Sequence, residues 1–131
     1  MIGLDTNVVI RLLVQDDAAQ LRRVQKSIAK ECSEENPGLI NSVVLVETVW
    51  VLGSAYGYGR EDISHAVETL LQIKELEVQC PNEAWEGLSL YRSGKAEFAD
   101  CYLAAINRGL GCKDTITLDK KAARVDSFRA V

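Results

Sequence analysis

Short apolar runs alternate with stretches of helical period along almost the whole 131-residue chain, and that alternation narrows the available folds more than any other feature. Ile2 to Leu4 and Leu39-Ile40 read as short strands, Leu76 to Cys80 alternates like an edge strand, and Thr115 to Leu118 is β-branched. Between them, Val8 to Leu13 follows the cap-competent Thr6 and Asn7. From Asp17 to Cys32, Ala18, Leu21, Val24, Ile28 and Ala29 recur at steps of three and four, the pattern of an amphipathic helix. Ser42 is placed to cap a helix from Val43 to Tyr56 that is apolar nearly all round, which predicts an element covered on most sides with Trp50 in the core.

A further amphipathic helix carries Ile63, Ala66, Val67, Leu70 and Leu71. Asn82 is placed to cap the helix Glu83 to Tyr91, Glu97 to Arg108 is helical, and Gly94 and Gly109 stand as their stops. The tail from Lys120 to Val131 reads as a short helix and a final strand. Strands repeatedly followed by helices predict an α/β fold with a parallel sheet covered on both faces and right-handed crossovers, in one domain spanning residues 1–131.

Composition closes off several functional classes. Fifteen Lys and Arg against nineteen Asp and Glu give a formal charge of -4, which argues against coating nucleic acid by charge alone and leaves room for a local basic patch. Cys32, Cys80, Cys101 and Cys112 form no CxxC pair and are accompanied by the single His65, so zinc-finger and thioredoxin spacings are missing. These cysteines read as small core residues in a reducing cytoplasm. The opening Met1-Ile2-Gly3-Leu4-Asp5 has no basic region or long apolar stretch, so neither a signal peptide nor a membrane span is expected.

Four acids stand out against this background. Asp5 and Asp119 directly follow strands, at the carboxyl ends where open parallel sheets bind ligands. Glu47 lies among Val43, Val44, Val46, Val49, Trp50 and Val51, and Asp100 lies within Phe98 to Ile106, so each is an acid on an otherwise apolar helical stretch that calls for a partner. Four such carboxylates within roughly 6 Å of one another would repel by about 3 kcal/mol per pair at an effective dielectric near 20, more in sum than a domain's stability. An oxygen-only cluster without histidine or thiolate is the chemistry of a hard cation, Mg²⁺ or Mn²⁺, and such an ion on phosphate implies hydrolytic phosphodiester cleavage.

Leu4-Asp5-Thr6-Asn7, Val46-Glu47-Thr48-Val49-Trp50-Val51-Leu52, Phe98-Ala99-Asp100 and Thr117-Leu118-Asp119 together resemble the PIN-domain ribonucleases, in particular the VapC-type toxins of bacterial toxin-antitoxin pairs. The match runs over nearly the whole chain. The resemblance implies a three-layer α/β/α sandwich with a short-stranded parallel central sheet. It also implies that Asp5, Glu47, Asp100 and Asp119 bind one or two Mg²⁺ or Mn²⁺ ions for RNA cleavage. Glu97, where relatives often carry Asp, becomes an auxiliary acid, and Thr6, Asn7 and Thr117 orient carboxylates or metal waters through hydrogen bonds. A homodimer and a cognate antitoxin lying over the active-site groove are implied as partners.

Other residues carry competing readings. Lys120 and Lys121 adjoin Asp119 and are candidates for RNA backbone contact. Arg11, Arg22, Arg23, Lys26, Arg60, Lys95, Lys113 and Arg124 are further basic residues, of the kind that line a phosphate path or simply face solvent. Tyr56 and Tyr58, beside the glycine-rich turn, read as a contact surface, with Trp85 and Tyr91 as lesser candidates for base stacking. A nucleophile-base pair of His65 with Cys80 or Cys101 lacks any oxyanion motif. A phosphoaspartate phosphatase built on Asp5 would need a second Asp where Asn7 stands. A PIN-like module that binds RNA or protein without catalysis is the main alternative, and the presence of all four acids argues against it.

Overall fold

The computed structural model describes all residues 1–131, and the chain divides into two compact units, Met1–Gln79 and Cys80–Val131. Each has the expected α/β character. The short strands pair in parallel throughout, as expected of an α/β sandwich, three of them in the first unit and two in the second.

In the first unit the order of elements is β1 (Ile2–Gly3), α1 (Thr6–Leu13), α2 (Ala18–Glu31), β2 (Gly38–Ile40), α3 (Ser42–Tyr56), α4 (Arg60–Gln72) and β3 (Leu76–Val78). β2 is central, with Ile2 opposite Gly38 on one side and Ile40 opposite Val78 on the other. Because β1 and β2 run in the same direction, Asp5 after β1 and the N-terminus of α3 after β2 emerge at the same edge of this sheet. Ile40, Leu45, Leu52, Val67 and Leu70 are fully buried. Tyr56 and Tyr58, both half-buried, pack against the buried Ile10, Leu52 and Ala66.

The caps lie one residue from the positions anticipated. Asp5, and not Thr6 or Asn7, caps α1, its Oδ1 accepting from the Thr6 N–H at 2.7 Å. Asn41, and not Ser42, caps α3, accepting from the Val44 N–H at 2.9 Å. Both pairs of neighbours are competent caps, and the chain uses the earlier one because its backbone is still extended. α3 ends where Gly57 enters the left-handed region at φ 67°, a conformation glycine adopts without penalty.

The second unit contains α5 (Pro81–Ser93), α6 (Phe98–Gly109), β4 (Thr115–Thr117), a single 3₁₀ turn (Ala122–Arg124) and β5 (Phe128–Ala130). Cys80 at φ 51° precedes α5, with Pro81 in its first turn, so Asn82 lies inside the helix and does not cap it. α5 and α6 approach closely because Gly87 has no side chain: a Cβ there would stand 2.9 Å from Tyr102 Cα. Tyr91, Phe98 and Tyr102 form the aromatic centre, Phe98 edge-on to Tyr91 at 6.0 Å and stacked on Tyr102 at 5.6 Å. That role withdraws Tyr91 from base stacking. No helix is long and apolar enough to cross a membrane.

Candidate metal centre

The acids of the first unit lie on the outside. Asp5 is exposed and commits Oδ1 to the α1 cap, while its backbone carbonyl accepts from the Val8 and Val9 N–H groups at 3.1 and 3.2 Å. Thr6 is buried directly behind it, and Asn7 is exposed. Glu47 sits on the second turn of α3 and is exposed, contrary to the buried carboxylate its apolar neighbours suggested. The reason is the face on which it lies. Val43 and Trp50, four residues before and three after, are 75% and 69% exposed, so the uniformly apolar helix leaves one apolar face uncovered within its unit. Trp50 is therefore not a core residue. The adjacent Thr48 turns inward and is fully buried, and its Oγ1 has no hydrogen-bond partner.

In the second unit the acids crowd one another. Asp100 is on the first turn of α6, Glu97 occupies the N-cap position of that helix without donating or accepting a side-chain cap bond, and Asp119 follows β4. Asp100 is half-buried, and its carboxyl is raised above the ordinary 3.8, first by loss of water around it and then by the negative charges of Asp119 and Glu97. No basic group offsets these influences on Asp100. No ion pair in either unit involves Asp5, Glu47, Glu97, Asp100 or Asp119.

Local hydrogen bonds hold this second group in place. The Asp119 N–H donates to Thr117 Oγ1 at 3.0 Å, and Asp119 Oδ1 in turn accepts from the Lys121 N–H at 2.8 Å. Asn107 on α6 donates from Nδ2 to Thr115 Oγ1 at 2.9 Å, tying the helix that carries Asp100 to the strand that leads to Asp119. Lys120 and Lys121 are exposed. Cys101 beside Asp100 is fully buried beneath the helix, which removes it as a nucleophile. Cys32 is also a core residue, whereas Cys80 is half-buried and Cys112 exposed, so only two of the four cysteines fit the core reading.

The donor set is suited to a hard cation: carboxylates without histidine or thiolate, half-buried in one case and unpaired in all. Within neither unit alone do three or more His, Cys, Asp or Glu side chains gather as a metal-holding group. A cavity of about 420 Å³ in the first unit takes in Asn7, Arg11 and Arg23 but neither of that unit's candidate acids. Arg11 there is already engaged, paired with Asp16 and donating to the Tyr56 hydroxyl at 3.3 Å.

The PIN domain family model matches residues 2–127, which takes in nearly all of both units. Over 128 residues the chain is 23% identical to the VapC ribonuclease of Aquifex aeolicus (strain VF5), a match covering 98% of this chain and 93% of that protein. The chain belongs to the PIN domain family.

Proposed function

We propose that this chain is a metal-dependent endoribonuclease, the toxin of a toxin-antitoxin pair, whose two units act as one PIN domain. Asp5, Glu47, Asp100 and Asp119 hold Mg²⁺ or Mn²⁺, with Glu97 auxiliary. The observation that carries the reading is the Asp100 carboxyl, half-buried beside Asp119 and Glu97 with no basic group to relieve it. Family membership over nearly the whole chain and similarity to a protein named as a VapC ribonuclease support the substrate class.

When bound, the divalent ion would supply an acidified water for attack and positive charge for the phosphodiester and the departing oxygen. The chain's own residues do the rest. Thr117 fixes the backbone of Asp119, so that carboxylate is presented in one orientation. Asp5 keeps Oδ2 outside its cap bond, which lets one residue both start α1 and face a ligand. Burial of Asp100 excludes part of its water shell and strengthens its attraction for a cation over that of a surface carboxylate. A soluble cytoplasmic homodimer silenced by an antitoxin completes the reading, as for other toxins of this type.

The test is cleavage of total RNA from the source organism by the purified, antitoxin-free chain, with Mg²⁺ or Mn²⁺ and with EDTA, beside Asp100→Asn. Discrete ion-dependent cuts that vanish in the variant are expected. Wild type and variant leaving the RNA equally intact, both folded and both binding the ion, would turn the reading to a PIN-like binding module.

A further inference from the structure

The open face of α3 sets an aromatic ring beside a candidate ion ligand. Of the two Trp, four Tyr and two Phe in the chain only Trp50 and Trp85 are exposed, at 69% and 39%, and Trp85 belongs to the other unit. Single exposed apolar side chains are ordinary on any protein, so the exposure of Trp50 matters only through where it falls. Val43, Glu47 and Trp50 succeed one another at steps of four and three along one face of α3, neighbouring Cβ atoms about 5–6 Å apart. Glu47, the acid assigned to the ion, therefore stands between a valine and an indole that are both open to water. The rest of the helix holds them there. Leu45, Thr48 and Leu52 on the opposite face are fully buried, and Ser54 Oγ donates to the Trp50 carbonyl at 2.8 Å.

The chemistry of this face selects its occupant. Glu47 is the only charged residue on α3. A second copy of the face, related by a twofold axis, would bring another Glu47 toward the first in a dewatered contact, with no cation on either helix to offset the pair. The apolar area is also small for that purpose: one aromatic side chain supplies about 150–250 Å², against the roughly 800 Å² that each partner gives to a stable interface. An unpaired nucleobase meets neither objection. It is a flat, uncharged ring system that needs only one aromatic side chain to stack on, and the phosphate it carries is drawn to a divalent ion at Glu47.

We propose that Trp50 stacks on an unpaired nucleobase of the substrate RNA, seating the nucleotide whose phosphate meets the ion at Glu47. The inference rests on the nuclease reading and deepens it by adding a contact to the base, where the carboxylates touch only the ion. Because acid and ring share one helix anchored in the core, the spacing between ion and stacked base is fixed.

The experiment uses the full chain with a mixed-sequence single-stranded oligoribonucleotide and an abasic oligoribonucleotide of equal length, which keeps the phosphates and lacks the bases. Affinity is measured in EDTA over a range of salt and cleavage with Mn²⁺, for wild type, Trp50→Phe, Trp50→Ala and Trp85→Phe, and sedimentation gives the oligomeric state of each. Trp50→Ala should weaken binding of the base-bearing strand about tenfold, leave the abasic strand and the salt slope unchanged, and raise KM more than it lowers kcat. Trp50→Phe, which keeps a ring, should lose no more than about threefold. In Trp85→Phe, where Trp50 is the remaining tryptophan, binding should match wild type and the base-bearing strand alone should quench the indole fluorescence. If Trp50→Ala binds and cleaves as wild type does, the stack is overturned and the nuclease reading stands. If Trp50→Ala converts a dimer to a monomer and weakens both strands alike, a second copy occupies the face and the stack is again overturned. If wild type neither binds nor cleaves the RNA with Mn²⁺, the nuclease reading falls and the stack with it.

Discussion

In the first unit Asp5 spends one carboxylate oxygen on the cap of α1 and Glu47 stands in water, whereas in the second Asp100 is half-buried and pressed by Asp119 and Glu97. The first pair is compatible with the ion-free fold; the second group opposes it. Removing negative charge from the second unit should therefore relieve the ion-free chain while abolishing function. Removing it from the first should abolish function with no such relief. Function stored as local electrostatic cost, in one unit only, is what this contrast teaches.

The largest effects concern cleavage. Asp100→Asn and Asp119→Asn should each lower ion-dependent RNA cleavage by at least about 100-fold, because each removes a charged ligand while keeping its shape. Asp5→Asn should fall as far, yet its thermal midpoint should match wild type, since Asn caps a helix as well as Asp does. Asp5→Ala should lose the cap as well, at a cost of about 1 kcal/mol in denaturant unfolding. Full activity in Asp5→Asn would break the comparison by leaving the first unit out of the chemistry.

Two helical glycines extend the contrast to packing. A Cβ at Gly87 meets Tyr102 Cα at 2.9 Å, so Gly87→Ala should separate α5 from α6 and cost about 2 kcal/mol. At Gly53 on α3 the nearest atom, Ile63 Cδ1, is 3.8 Å from such a Cβ. Gly53→Ala should instead stabilise by about 0.5 to 1 kcal/mol through helix propensity. Calorimetric midpoints moving in the same direction would show that the tight α5–α6 approach is not what limits the second unit. Thr48→Val, which removes the unpartnered buried hydroxyl of the first unit, should raise stability in urea by about 1 kcal/mol.

The smallest effect is the dependence on pH. Asp100 binds its proton more tightly folded than unfolded, so the folded chain holds more protons between 3.8 and the raised value. Stability of the ion-free chain should fall as pH rises through that window and stay lower above it. Asp100→Asn should abolish this contribution, raising the midpoint at neutral pH with no gain below 3.8. A variant midpoint below wild type at neutral pH would mean that Asp100 is not under stress.

The alternation of apolar runs and helical periods made all five strands and the parallel pairing legible, and the first four runs are each followed by an Asp, Asn or Pro that closes them. Which strands neighbour one another was not legible, since pairing partners of two- and three-residue strands leave no mark in their own sequence. Asp100 was readable as a stressed acid from its apolar neighbours, and the structure gives that stress its causes in burial, Asp119 and Glu97. The same signal misled at Glu47 and Trp50, because an apolar helix face looks identical whether its own unit covers it or leaves it open. Caps slipped by one residue where two competent side chains adjoin, as at Asp5-Thr6 and Asn41-Ser42.

The proposal that Asp5, Glu47, Asp100 and Asp119 hold Mg²⁺ or Mn²⁺ is tested most directly by titrating Mn²⁺ into the full chain and following its binding in wild type, Glu47→Gln and Asp100→Asn, each shown to be folded. The account predicts that both substitutions weaken Mn²⁺ by at least about tenfold. Glu47→Gln binding Mn²⁺ as tightly as wild type, with Asp100→Asn losing it, would contradict the account by confining the ion to the second unit alone.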